Sequence, residues 1–74
     1  MTKLPVISGQ QCVKSLEKVG YSFSRQKGSH IILKREDPPS RLVVPDHREL
    51  DRGTLRAIIR QASLTVEEFV TLLD

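Results

Sequence analysis

"YSFSRQKGSHIILKREDPPSRLVVP", residues 21–45, holds three short apolar runs separated by two turn signals, and the fold follows from how those runs pair. In the first run Tyr21 and Phe23 alternate with Ser22 and Ser24, the period of a half-buried strand. Lys27-Gly28-Ser29 then reverses the chain, because glycine supplies the backbone freedom a tight turn demands. His30 opens the second run, whose Ile31, Ile32 and Leu33 suit a pleated surface. Glu36-Asp37-Pro38-Pro39 ends that run, since proline has no N–H to give to a ladder, and residues 36–40 are the only linker-like stretch in the chain. Residues 41–45, "RLVVP", form a third strand. Parallel pairing needs crossovers of about a dozen residues or more, so connections this short predict an antiparallel meander.

Outward from this centre, Ser8 with Gln11 three residues later is a capping box, and Ile7 and Cys12 can form the flanking hydrophobic staple. Cys12, Val13, Leu16 and Val19 make one apolar helical face, and Gly20 stands where a left-handed terminator belongs, so a helix is expected from Gly9 to Val19. On the other side, Leu55, Ile58, Ile59 and Ala62 recur at helical spacing from Asp51 onward. Thr65 with Glu68 is a second capping box, opening a short C-terminal helix over residues 65–74 that offers Phe69, Leu72 and Leu73. The expected order is α-β-β-β-α-α, an α+β fold with a three-stranded antiparallel sheet covered on one face by helices. All three aromatics, Tyr21, Phe23 and Phe69, fall at apolar-periodic positions and are expected in the core.

Seventy-four residues make one small domain, which buries only ~60% of the surface of its unfolded chain and has no room for a deep cofactor cleft. All twelve basic residues lie in residues 1–60 with six of the nine acids, a surplus of +6, while residues 61–74 carry −3. The basic part attracts polyanions. One cysteine forms no internal disulfide, no apolar run nears the ~18 residues of a membrane span, and the N-terminus lacks a basic-then-apolar signal. A cytoplasmic protein without membrane attachment is expected.

Among candidate chemistries, Cys12, His30 and His47 are too few and too scattered for a zinc site, and no metal or other cofactor is expected. Cys12 falls on the apolar face of its helix, where a free cysteine behaves as a small hydrophobe. Glu67 and Glu68 favour their helix dipole, and Glu36-Asp37 precede prolines. The cations say more. Arg52, Arg56 and Arg60 recur every fourth residue and form a stripe that can track phosphates. Arg25, Lys27, Lys34, Arg35 and Arg41 come from the strand region, so sheet edge and helix could join in one basic surface.

His30 follows a glycine turn beside Lys27 and Arg25, and an imidazole accepts and donates protons near neutral pH. RNA cleavage needs a base for the 2′-hydroxyl, an acid for the 5′-oxygen and cations for the phosphorane-like transition state. An inert strand-start histidine and a proton-transfer group are both compatible with the residues alone.

"SGQQCVKSLEKVGY", "RQKGSHIIL", "VVPDH" and "ELDRGTLRAIIRQASL" together resemble the HicA family, small toxins that cut mRNA and pair with HicB antitoxins. The resemblance runs from Ile7 to Leu64, and Gly-Ser-His before an apolar strand is its most specific piece. It implies a fold like the double-stranded RNA-binding domain, and the chain is expected to be one such domain over residues 1–74, of which residues 1–6 are an N-terminal extension and residues 65–74 a short C-terminal helix. It implies that His30 is the catalytic histidine of a metal-independent endoribonuclease, with mRNA and a HicB-like antitoxin as partners. Pro45-Asp46-His47 matches a second family element. His47 is then either the second acid–base group or a turn residue orienting the exit from the third strand. Lys27 and Arg25 are candidates for charge stabilisation, Gly28 permits the turn or close RNA approach, and Ser29 donates to a phosphate or caps the turn. Arg25, Lys27, Lys34, Arg52, Arg56 and Arg60 are the expected RNA contacts. The alternative is an RNA-binding module of the same fold that does not cleave; a helix-turn-helix DNA binder fits poorly with the acidic end and three strands.

Overall fold

The computed structural model describes residues 3–73; Met1 and Thr2 of the expected extension and Asp74 of the expected last helix lie outside them. At the centre of the sequence, Gly28 takes φ +60° and reverses the chain between β1 (Ser22–Lys27) and β2 (His30–Glu36). The loop has two residues, and Ser29 does not share the positive φ, which is the pattern of a type II′ hairpin turn. A Cβ at Gly28 would meet nothing within 4 Å, so its backbone conformation, not crowding, calls for glycine.

β3 (Pro39–Pro45) pairs antiparallel with β2 from His30↔Pro45 to Glu36↔Pro39, and the sheet order β1-β2-β3 is the expected meander. The prolines interrupt it less than expected. Only Asp37 and Pro38 form the turn, and Pro39 is already the first residue of β3. β3 is an edge strand, where a missing N–H at the first position is tolerated.

Local signals place the helices. At α1 (Gly9–Glu17) the Ser8 hydroxyl accepts from Gln11 N (3.1 Å) and the Gln11 side chain accepts from Ser8 N (2.9 Å). This helix stops two residues short of Val19, in a closing turn where Tyr21 N donates to Leu16 O and Gly20 takes φ +100°. Asp51 caps α2 (Arg52–Gln61) by accepting from Gly53 N and Thr54 N, and the Thr65–Glu68 box caps α3 (Val66–Thr71). Their apolar faces meet one face of the sheet: Cys12, Leu16, Leu55, Ile58, Ile59 and Phe69 pack with Ile31, Leu33, Leu42 and Val44. The N-terminal extension shares in this core through Leu4.

Tyr21 and Phe69 are buried as expected, with the Tyr21 hydroxyl sharing a 2.6 Å hydrogen bond with Ser40 Oγ. Phe23 is not: it is 56% exposed. α1 and α2 pack over β3, while β1 is the opposite edge and is exposed along its whole length. Alternation told which side of the strand Phe23 takes; it could not tell that no helix would cover that side.

Candidate active site

Successive side chains of a strand take opposite faces, and directly paired residues share a face, so the register defines what the sheet presents away from the helices. Ile31 and Leu33 enter the core, which turns His30, Ile32, Lys34 and Glu36 to the open face. A bulge at Ser24 gives β1 one extra residue between Phe23↔Leu33 and Arg25↔Ile32. Without it Arg25 would oppose Ile31 on the core face; with it Arg25 and Lys27 join the open face. Three cross-strand rows result: Lys27–His30–Pro45, then Arg25–Ile32–Val43, then Ser22–Lys34–Arg41. Ile32 is only 5% exposed, because Ser24, Arg25, Lys34 and Arg41 line a shallow depression around it, whereas Val43 beside it is 44% exposed.

His30 is the exposed first residue of β2, directly opposite Lys27. The turn before it is held from three sides. Asp46 N donates to Ser29 O at 2.6 Å, Asp46 Oδ1 accepts from Gln10 Nε2 of α1 at 3.0 Å, and Asp46 Oδ2 accepts from Gln26 Nε2 of β1 at 3.2 Å. Gln26 Nε2 also donates to Gly28 O at 3.0 Å. Asp46 thus ties the first turn of α1, the end of β3 and the Gly-Ser turn to one another. Within Pro45-Asp46-His47 nothing local marks Asp46, since one aspartate between a proline and a histidine has no periodicity; its role exists only once the hairpins are paired.

His47 is exposed and follows Pro45, the cross-strand partner of His30, by two residues, so the two histidines share one end of the sheet. Its carbonyl accepts from Gly9 N at 2.9 Å. α1 approaches β3 so closely here that a Cβ on Gly9 would overlap the Pro45 carbonyl oxygen. The remaining cations divide. Arg35 lies on the helix side, 4.6 Å over the Tyr21 ring, with Nε donating to Pro38 O. Arg52, Arg56 and Arg60 are exposed on α2, which belongs to the helix layer packed on β3, whereas Arg25, Lys27, Lys34 and Arg41 lie on the open face of the sheet. Burial pushes the Cys12 thiol up to about 12, which keeps it protonated at neutral pH and unfit as a nucleophile. Among the described residues no three His, Cys, Asp or Glu side chains cluster.

The arrangement can place a proton-transfer group and an ammonium on the same side of a phosphate that rests on the first row. The family model described as HicA toxin of bacterial toxin-antitoxin matches residues 9–64. The chain belongs to the HicA toxin family. No curated protein matches it. Membership makes it a toxin of a toxin–antitoxin system, and the matched span takes in the three open-face rows, Asp46, His47 and the arginine stripe. α3 lies beyond that span. No helix among the described residues of this HicA-family chain is long and apolar enough to cross a membrane.

Proposed function

We propose that this toxin is a metal-independent endoribonuclease that cuts mRNA in the cytoplasm and is neutralised by a HicB-like antitoxin. The observation that carries it is the exposed His30 at the end of the open face, cross-strand from Lys27. In the reaction the His30 imidazole removes the proton of a ribose 2′-hydroxyl. The 2′-oxygen forms a bond to the adjacent phosphorus, the bond to the 5′-oxygen breaks, and that oxygen takes a proton. The products are a 2′,3′-cyclic phosphate and a 5′-hydroxyl. Lys27 offsets charge on the phosphoryl oxygens as it builds up. His47, at the same end of the sheet, is the candidate for protonating the leaving oxygen, and the Ser29 hydroxyl is a candidate phosphate donor.

His30→Ala tests the proposal, with RNA cleavage, RNA binding and circular dichroism measured together. Loss of cleavage by ~10²–10⁴-fold, with binding and fold kept, is the expected result for a proton-transfer group. Full activity would overturn the assignment. Absence of cleavage by the intact toxin, with RNA still bound, would leave a binding module of the same fold.

A further inference from the structure

We propose that the open face of the sheet is a track for single-stranded RNA, running along β2 from His30 to the Lys34–Arg41 row, with the scissile phosphate at the end of the track. The proposal rests on the ribonuclease function above and adds which strand state is bound, and where.

Four cations, Arg25, Lys27, Lys34 and Arg41, lie on this face, and its one acid among the paired positions, Glu36, comes last, beyond the third row. The rows follow one another every second residue, ~6.6 Å apart, close to the separation of neighbouring phosphates along one strand. Each row offers a cation: Lys27 in the first, Arg25 in the second, Lys34 and Arg41 in the third.

The centre of the face is apolar, because Ile32 and Val43 lie side by side in the second row and Val43 is open to solvent. Apolar side chains ringed by cations suit the plane of an unpaired base with its phosphates on either side. A duplex hides those planes within its stack and is recognised through phosphates and 2′-hydroxyls across a shallow groove, so it has no use for Val43. Single-stranded RNA is therefore the favoured occupant.

The track is also one-sided. His30 and Lys27 form its first row, and beyond them the sheet ends at the Gly28–Ser29 turn. Nucleotides on one side of the scissile phosphate meet two more rows; nucleotides on the other side meet none.

The test compares Arg25→Gln/Lys34→Gln/Arg41→Gln with Arg52→Gln/Arg56→Gln/Arg60→Gln, both in a His30→Ala background so that RNA survives the titration. The probes are an unstructured RNA oligonucleotide and a blunt RNA duplex, each titrated at 50 and 200 mM salt, with circular dichroism to verify folding. Three lost phosphate contacts lower the single-strand salt slope by ~2, so between those salts the parent should lose about 20-fold more affinity than the open-face variant. The α2 variant should retain most of the parent slope. In the active background, shortening the oligonucleotide from one end should raise KM once the third row is vacated, and shortening from the other should not.

Equal slopes for parent and open-face variant, or equal affinity for duplex and single strand, would overturn the track. So would an open-face variant that binds RNA normally and has lost only the antitoxin, which would make this face a protein interface. These readouts do not require cleavage. A toxin that binds single strands through the open face and never cuts them keeps the track and refutes the ribonuclease function, while His30-dependent cleavage with unchanged slopes does the reverse.

Discussion

Gly9→Ala sets two opposed effects of similar origin against each other. Alanine gains up to ~1 kcal/mol over glycine inside a helix, and less at the first helical residue, where Gly9 lies. Against this, the new Cβ would overlap Pro45 O and approach Pro45 C to 3.1 Å and Asp46 Cα to 3.2 Å. All three neighbours are backbone, so no rotamer change relieves the overlap; α1 or the end of β3 must move. Overpacking of this kind costs ~1–3 kcal/mol, and loosening the 2.9 Å bond from Gly9 N to His47 O adds ~0.5–1.5 kcal/mol. The overlap wins by about 1–3 kcal/mol, which in a domain of this size lowers Tm by roughly 5–20 °C. Thermal unfolding followed by circular dichroism measures it, with Gly53→Ala as the control. A Cβ there meets only Asp51 Oδ2, at 3.3 Å, so the capping carboxylate need shift by only a few tenths of an ångström, and alanine's helix propensity offsets the loosened cap; that variant should stay within ~1 kcal/mol of the parent. Gly9→Ala melting at or above the parent Tm would refute the close approach of α1 to β3. Since Pro45 pairs with His30, the folded variant should also cleave RNA more slowly at low temperature.

Asp46→Ala removes the acceptor of two exposed side-chain hydrogen bonds that position the turn before His30, so stability should fall by ~1–2 kcal/mol and cleavage by a larger factor than RNA affinity, read from separate binding and single-turnover assays. Gly28→Ala forces an L-residue to φ +60° at a strain of ~1–2 kcal/mol while filling only open space; chemical denaturation should show that loss, and Gly28→Asn should recover part of it. Cys12 makes stability pH-dependent in the alkaline range: the unfolded thiol ionises near its ordinary 9.0 and the folded one near 12, so between those values the native state binds more protons and stability falls as pH rises, by up to ~1.4 kcal/mol per unit. Denaturation midpoints from pH 8 to 11 should fall less steeply in Cys12→Val than in the parent; parallel slopes would show that the thiol does not titrate this way.

The sequence by itself determined the parts held by interactions a few residues long. Ser8 with Gln11 and Thr65 with Glu68 announce helix starts because each box closes within one turn of helix, and both are formed. Gly28 announces the hairpin because its freedom is a property of the residue itself, and short connections then left only a meander. His30 was legible as a candidate for the same reason, through the turn that precedes it and its resemblance to a family. Tertiary structure decided the faces. Strict alternation from Tyr21 and Phe23 would have sent Arg25 and Lys27 toward the core; the extra residue Ser24 shifts the register and brings both onto the face that carries His30. Whether Phe23 would be covered depended on where the helices came to rest, and they rest over β3. Asp46 acquired its three partners, and Gly9 its neighbour Pro45, only when segments 17 to 36 residues apart came together. A register or a docking distance is a property of two segments at once, and no single stretch of chain carries it.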